Sequence, residues 1–185
     1  MSVDDPIIGN DGTGKTTIAN LLIDQMEGIQ YVYLGHRSYR TKAAKKRFDT
    51  EKKNQENLLD KIQNLAIYYV EMWVRLLEGW NKGDRAIFDR YPWDVYVGMK
   101  GLEQVIGKMF FYYLFPKPKI VFYLHCSVDL SIQRKDDIED RLQFEKSKEQ
   151  YDALFLNKKG ICSIDTGKLQ TREIVNRMIR QIKGR

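Results

Sequence analysis

Gly9-Asn10-Asp11-Gly12-Thr13-Gly14-Lys15-Thr16-Thr17 decides how the rest of the chain is read. From Gly9 to Thr16 it fits G-x-x-x-x-G-K-[ST], the phosphate-binding P-loop. The three glycines let the backbone curl tightly and turn its N–H groups inward onto phosphate oxygens. Lys15 is placed to reach the β- and γ-phosphates, and the Thr16 hydroxyl to ligate Mg²⁺. Ile18, Leu21, Leu22, Ile23 and Met26 follow at helical spacing. The loop therefore opens a helix, whose positive dipole end adds to anion binding.

Outward from the loop, strands and helices alternate. Residues 3–8, 30–35, 84–89, 119–126 and 160–165 read as strands. Residues 15–27, 54–82, 94–114, 128–135, 145–157 and 171–183 read as helices, with a loop or short helix over 36–50 and a charged loop over 136–144. In the long helix Leu58, Leu59, Ile62, Leu65 and Ala66 mark an amphipathic face. Five strands separated by helices predict an α/β fold, a five-stranded parallel sheet covered on both sides, with ligands at the carboxyl ends of the strands. The first strand fits poorly. It should be central and apolar, yet it holds Asp4, Asp5 and Pro6, and proline loses a ladder bond there.

Bulk composition narrows the classes. The 185 residues are 43% hydrophobic and 30% charged, which suits one domain over 1–185 with a large core. No apolar run reaches the length of a membrane span, and the N-terminus carries no secretory pattern. Cys126 and Cys162 read as buried reduced thiols, so the expected location is cytoplasmic. His36 and His125 make no metal spacing with them. The net charge is +6. Arg37, Arg40, Lys42, Lys45, Lys46 and Arg47 cluster without an intervening acid. That stretch offers contacts to a nucleic-acid backbone, and it reads equally as a solvated helix.

Two further stretches carry chemistry. Asp89-Arg90-Tyr91 follows the third strand directly. An acid there can hold Mg²⁺ or accept a proton, and Arg90 offers a fork for an acceptor's phosphate. Arg134-Lys135-Asp136-Asp137, then Asp140-Arg141, supply a basic loop able to bring positive charge onto a moving phosphoryl group.

Together these elements resemble the thymidylate kinase family of P-loop nucleoside monophosphate kinases. Residues 9–17 look like that family's P-loop, and Asp89-Arg90-Tyr91 is similar to its acceptor-binding motif. The 134–145 stretch, with Tyr151 and Leu154 beyond it, looks like its lid and the next helix. Ile164-Asp165-Thr166 looks like the segment passing near the adenine. The resemblance implies a three-layer P-loop NTPase fold with a lid loop, ATP as donor, Mg²⁺, a nucleotide acceptor and a homodimer through the long helices. It implies Lys15, Asp89, Arg90, Arg134 and Arg141 as catalytic residues, with Lys135 behind the two lid arginines. The cofactor cradle would be Gly9 to Thr17, the metal ligands Thr16 and Asp89. Acceptor contacts would come from Asp11, Arg37, Asn64, Tyr68, Arg90 and Tyr91, with an acceptor-side region at about 36–60.

The chain also departs from the pattern. Leu34-Gly35-His36-Arg37 stands where an Arg-Glu-Pro motif is usual, and only Arg37 can substitute. Asn64 and Tyr68 stand where the family places a stacking Phe and an Arg. Ile8 stands where an acid commonly precedes the loop. The leading expectation is phosphoryl transfer from ATP to dTMP or a related nucleoside monophosphate. The alternatives are a kinase acting on a hydroxyl of a larger acceptor, such as a modified base in DNA or a glycan, and a non-enzymatic ATP-binding module.

Overall fold

The computed structural model describes residues 5–36, 39–48, 57–82, 85–97, 99–135 and 140–184. Five parallel strands run through it: β1 (Pro6–Ile8), β2 (Ile29–Tyr33), β3 (Arg85–Asp89), β4 (Val121–His125) and β5 (Ile161–Asp165). Their order across the sheet is β2-β3-β1-β4-β5. The α-helices are α1 (Lys15–Gln25), α2 (Lys42–Phe48), α3 (Leu58–Lys82), α4 (Gly101–Lys108), α5 (Val128–Arg134), α6 (Arg141–Phe155) and α7 (Thr171–Lys183). This is the expected α/β architecture. The differences lie at element ends and in the predicted helix over 94–114. That segment divides into a 3-10 helix at Pro92–Tyr96, then α4, then a π turn at Met109–Tyr113.

Strand pleating explains the layering. Alternate side chains of one strand face opposite sides of the sheet. Ile8, Phe88, Val121 and Tyr123 join a core shared with α2, α3, the 3-10 helix and α6. Ile7, Ile87, Phe122, Leu124 and Ile164 face a second core shared with α1 and α7. Covered on both faces, the inner strands carry apolar residues almost continuously, as parallel strands must.

The awkward first strand resolves once paired. β1 is only three residues long and Pro6 is its first residue, where a missing N–H is tolerated. Asp5 is buried, and its carboxylate accepts the backbone N–H of Ile120 at 3.3 Å, just ahead of β4. The acid thus continues the edge-to-edge bonding that the short strand does not reach. Asp4 lies outside the described residues.

In α3 the expected amphipathic face is corrected. Leu65, Tyr68, Met72 and Leu76 are the buried stripe, whereas Leu58 and Leu59 are 47% and 77% exposed and Ala66 is exposed. The core they would have entered is filled one turn further along, where α3 crosses the sheet. Glu71 and Arg75 lie on the same buried side and pair at 2.7 Å. Glu71 also accepts the backbone N–H groups of Arg40 and Thr41, and Arg75 donates to the carbonyl of Gly35. This buried pair fastens the segment after β2 to α3, which positions one wall of the site. Cys126 is buried and Cys162 half-buried, both free thiols.

Candidate active site

The carboxyl ends of β1, β3 and β4 meet at the middle of the sheet, where the chain changes direction between neighbours. A cavity of about 1270 Å³ opens there. A single small-molecule pocket usually spans roughly 300–1,000 Å³, so this one has room for a donor and an acceptor side by side. Asp11 to Thr17 form one wall, Arg134, Lys135 and Thr166 another, and Leu34, His36, Tyr68, Arg90, Asp94 and Tyr151 the remainder. Gly9 and Asn10 are not on the wall; they set the loop's path.

The loop is as tight as its glycines imply. Gly9 and Gly12 have φ of 149° and 74°. A Cβ on Gly9 would overlap the carbonyl oxygen of Leu124, and one on Gly12 the backbone of Ser131. The loop is thus pressed onto β4 and α5, and only glycine fits at either position. Gly14, also left-handed, caps α1. Thr13 and Lys15 both donate to the carbonyl of Asn10, at 2.8 and 2.7 Å.

Charge gathers on Asp11. Its carboxylate accepts from Arg90 at 2.5 Å and Lys135 at 3.2 Å, with Lys15 Nζ at 3.8 Å. Burial alone would raise the Asp11 carboxyl; the charges of Arg90, Lys15 and Lys135 outweigh it and hold the group low. Lys15 is the converse case. Burial first, and Arg90 second, bring it down to about 8 against the pull of Asp11, Asp94 and Asp89. Arg90 has φ of 71°, a strained value for a side-chain-bearing residue, while its N–H donates to the carbonyl of Ile7 at 2.9 Å. Strain of this kind costs about 1–3 kcal/mol and gathers at working sites.

The expected metal ligands adjoin. Thr16 Oγ1 donates to Asp89 Oδ2 at 2.7 Å, and the Tyr31 hydroxyl reaches the same oxygen at 2.8 Å. The other oxygen, Asp89 Oδ1, is buried without a partner. A hydroxyl beside a carboxylate with one oxygen open is a hard oxygen donor set of the kind Mg²⁺ takes, so the residues fit the ion.

The remaining predicted residues divide. Tyr91 lines the cavity, but its hydroxyl donates to the carbonyl of Pro116. Tyr68 reaches the cavity and also serves the core; it is buried, donates to the carbonyl of Leu34 and stacks on His36 with ring centroids 4.3 Å apart. Asn64 does not reach the cavity. It accepts from Arg47 at 2.6 Å, because α3 turns that position toward α2. Arg134 lines the cavity but is held at the end of β5 by two bonds to Thr166, both 3.1 Å. Lys135 is the residue of this segment that meets Asp11. Arg141 stands apart from the cluster. It begins α6, is 58% exposed, and pairs with Asp129 and Glu145. Residues 141–145 are helix rather than lid loop; residues 136–139 and Arg37 lie outside the described residues.

Within the basic stretch, Arg40 pairs with Glu78 and Arg47 with Asp60, while Lys42, Lys45 and Lys46 are exposed. Arg40 and Arg47 are thus engaged by acids of α3. Among the described residues no cluster of three metal-binding side chains occurs, and no helix is long and apolar enough to cross a membrane.

His36, Tyr31 and Asp94 were not among the residues singled out from sequence. Burial, with Arg90 and Arg75 nearby, depresses the His36 imidazole to about 4, so it is neutral. Asp94 alone had an available signal: it stands four residues after Arg90, in the 3-10 helix that Pro92 opens.

Comparison with known proteins agrees with this geometry. The thymidylate kinase family model matches residues 7–179. The solved structure of thymidylate kinase from Candida albicans superposes with a TM-score of 0.74, covering 99% of this chain and 92% of that one at 18% identity. No curated protein sequence matches the chain significantly. With a family match running from β1 into α7, the chain belongs to the thymidylate kinase family.

Proposed function

We propose that this protein is a nucleoside monophosphate kinase that moves the γ-phosphoryl group of ATP onto the phosphate of a nucleotide acceptor. One observation carries the reading. Three cations from three separate elements, Lys15 of the P-loop, Arg90 after β3 and Lys135 after α5, converge on one carboxylate in a cavity large enough for two nucleotides.

Phosphoryl transfer asks a protein mainly for positioning and for positive charge. The curled P-loop amides and Lys15 would hold the donor phosphates, and Arg90 the acceptor phosphate. Lys135 would add charge between them. Thr16 and Asp89 would hold Mg²⁺, which when bound neutralises the phosphate oxygens. Tyr68 and His36 form an aromatic shelf suited to a base. An acceptor phosphate is largely ionised at pH 7, so no strong base is required.

The experiment is a coupled assay of the purified protein with ATP, Mg²⁺ and a panel of ribo- and deoxyribonucleoside monophosphates, dTMP included. The panel is broad because the Candida albicans enzyme is described as having broad substrate specificity. Turnover of at least one acceptor is expected, with Lys15→Ala reducing it at least about a hundredfold. Absence of turnover with every acceptor, while ATP still binds, would refute the proposal.

A further inference from the structure

Tyr31 stands in the middle of β2, an edge strand of the sheet, opposite Ile87 of β3. Its ring is 37% exposed and joins neither core, so burial of the ring does not account for it. The hydroxyl has a definite target. It lies 2.8 Å from Asp89 Oδ2, on the cavity wall. A carboxylate oxygen only accepts, so Tyr31 is the donor. Tyr31 also interacts with the Thr16 side chain, which makes the three groups one cluster.

Thr16 gives the same carboxylate oxygen its hydroxyl hydrogen, at 2.7 Å. A threonine hydroxyl has one hydrogen and two lone pairs. Directed at Asp89, the hydrogen is turned away from the cavity and the lone pairs are left for a cation. Turned into the cavity, the hydrogen would oppose one. Asp89 thus decides which side of the Thr16 oxygen is offered. The carboxylate needs fixing in its turn. The torsion that rotates it is broad and two-fold, and its other oxygen, Oδ1, has no hydrogen-bond partner. Its rotation is held by Thr16 from α1 and Tyr31 from β2, both acting on Oδ2.

We propose that Tyr31 is a positioning residue for the metal-binding pair. Its hydroxyl fixes the rotation of the Asp89 carboxylate, Asp89 keeps the Thr16 hydrogen, and the Thr16 lone pairs remain for a hard divalent cation such as Mg²⁺. The inference rests on the reading of Thr16 and Asp89 as metal-binding residues of the proposed kinase. It adds a third group, supplied by an edge strand outside both the P-loop and the Asp89-Arg90-Tyr91 stretch. Tyr31 acts through Asp89 and is not itself a ligand.

The test compares wild type with Tyr31→Phe, which removes one oxygen and keeps the ring. Affinity for a non-hydrolysable ATP analogue is measured by titration calorimetry in excess Mg²⁺ and again in EDTA. The readout is the factor by which Mg²⁺ tightens binding; the cation's affinity for the free nucleotide cancels between the two proteins. Outer groups that orient a metal ligand carry roughly 10–100-fold in metal affinity or activity. Tyr31→Phe should therefore lower the Mg²⁺ factor about tenfold, or to none where the wild-type factor is smaller, and leave the EDTA affinity unchanged. In a Thr16→Val background, where no hydroxyl remains to be oriented, the same substitution should cost almost nothing. An unchanged Mg²⁺ factor overturns the proposal. So does equal weakening in Mg²⁺ and in EDTA, which a merely structural role would give, and so does a cost that survives intact in Thr16→Val. Wild type that binds the analogue with no regard to Mg²⁺ overturns the metal reading of Thr16 and Asp89, and this inference with it. The titrations use no acceptor, so their outcome is separate from the coupled assay that tests the kinase proposal.

Discussion

Asp94→Asn is expected to stabilise the folded protein at neutral pH and to lose that advantage in acid. The carboxyl of Asp94 rises from 3.8 to about 6 on folding, chiefly through burial. A folded-state pKa above the unfolded one means that the native protein binds the extra proton between those values. Wild-type stability is then highest below the unfolded pKa and falls as pH rises through the folded one. At 1.36 kcal/mol per unit, a rise of this size corresponds to roughly 3 kcal/mol, a large share of the 5–15 kcal/mol typical of a whole domain. Asparagine has the same shape and no proton to lose, so whatever its buried amide costs is the same at every pH. The difference between variant and wild type should accordingly grow by roughly 2.5 kcal/mol between about pH 4 and about pH 7.5. Urea unfolding of the nucleotide-free proteins at four or five pH values measures it, since other titrating groups occur in both and cancel. A difference that stays constant across the range, within about 0.5 kcal/mol, would mean that Asp94 ionises like a surface acid and would refute the reasoning.

Two other outcomes follow from packing. Glu71→Ala removes the partner of a buried arginine together with the acceptor for two backbone N–H groups, and should destabilise by about 3–5 kcal/mol; a loss under about 1 kcal/mol in denaturant unfolding would count against the pair as the anchor of the segment after β2. A homodimer through α3 is proposed because Leu59, Val70 and Leu77, eleven and seven residues apart, fall on one exposed stripe of that helix; sedimentation should then give a dimer for wild type and a monomer for Val70→Glu, and a wild-type monomer at the same concentration would sink the idea.

How legible the site was depended on the scale at which each residue is constrained. Gly9, Gly12 and Gly14 are dictated by backbone curvature within a few residues, so their pattern survives in the sequence. Asp89-Arg90 follows a strand end and inherits its position from it. Arg134, Lys135 and Arg141 are different. All three are cations in one charged stretch, and which one meets Asp11 depends on where α5 ends and α6 begins. The sequence presents three equivalent charges; the helix ends sort them, tying Arg134 to Thr166 and turning Arg141 outward. Asn64 and Tyr68 are four residues apart on one side of α3, yet one reaches α2 and the other the cavity, because they sit one turn apart along the helix axis. Asp5 was anomalous as part of a strand pattern and becomes ordinary once its carboxylate is seen to bond across to Ile120. His36 and Tyr31 were the hardest to find, because their places on the cavity wall depend on everything packed around them and on no motif.

Three features of the cavity wall each cost the fold something. Lys15 is desolvated enough to fall to about 8, Arg90 holds a left-handed backbone, and Asp94 is a carboxyl that burial lifts to about 6. Close together, they impose a joint requirement. Lys15 and Arg90 call for anionic oxygens, whereas the Asp94 carboxylate repels them. A bare polyphosphate would satisfy the cations and meet the acid as a like charge. A small molecule with its charge at one end and an uncharged remainder meets both. For that reason the acceptor proposed here is a nucleotide, its phosphate on the cations and its uncharged part toward the acid.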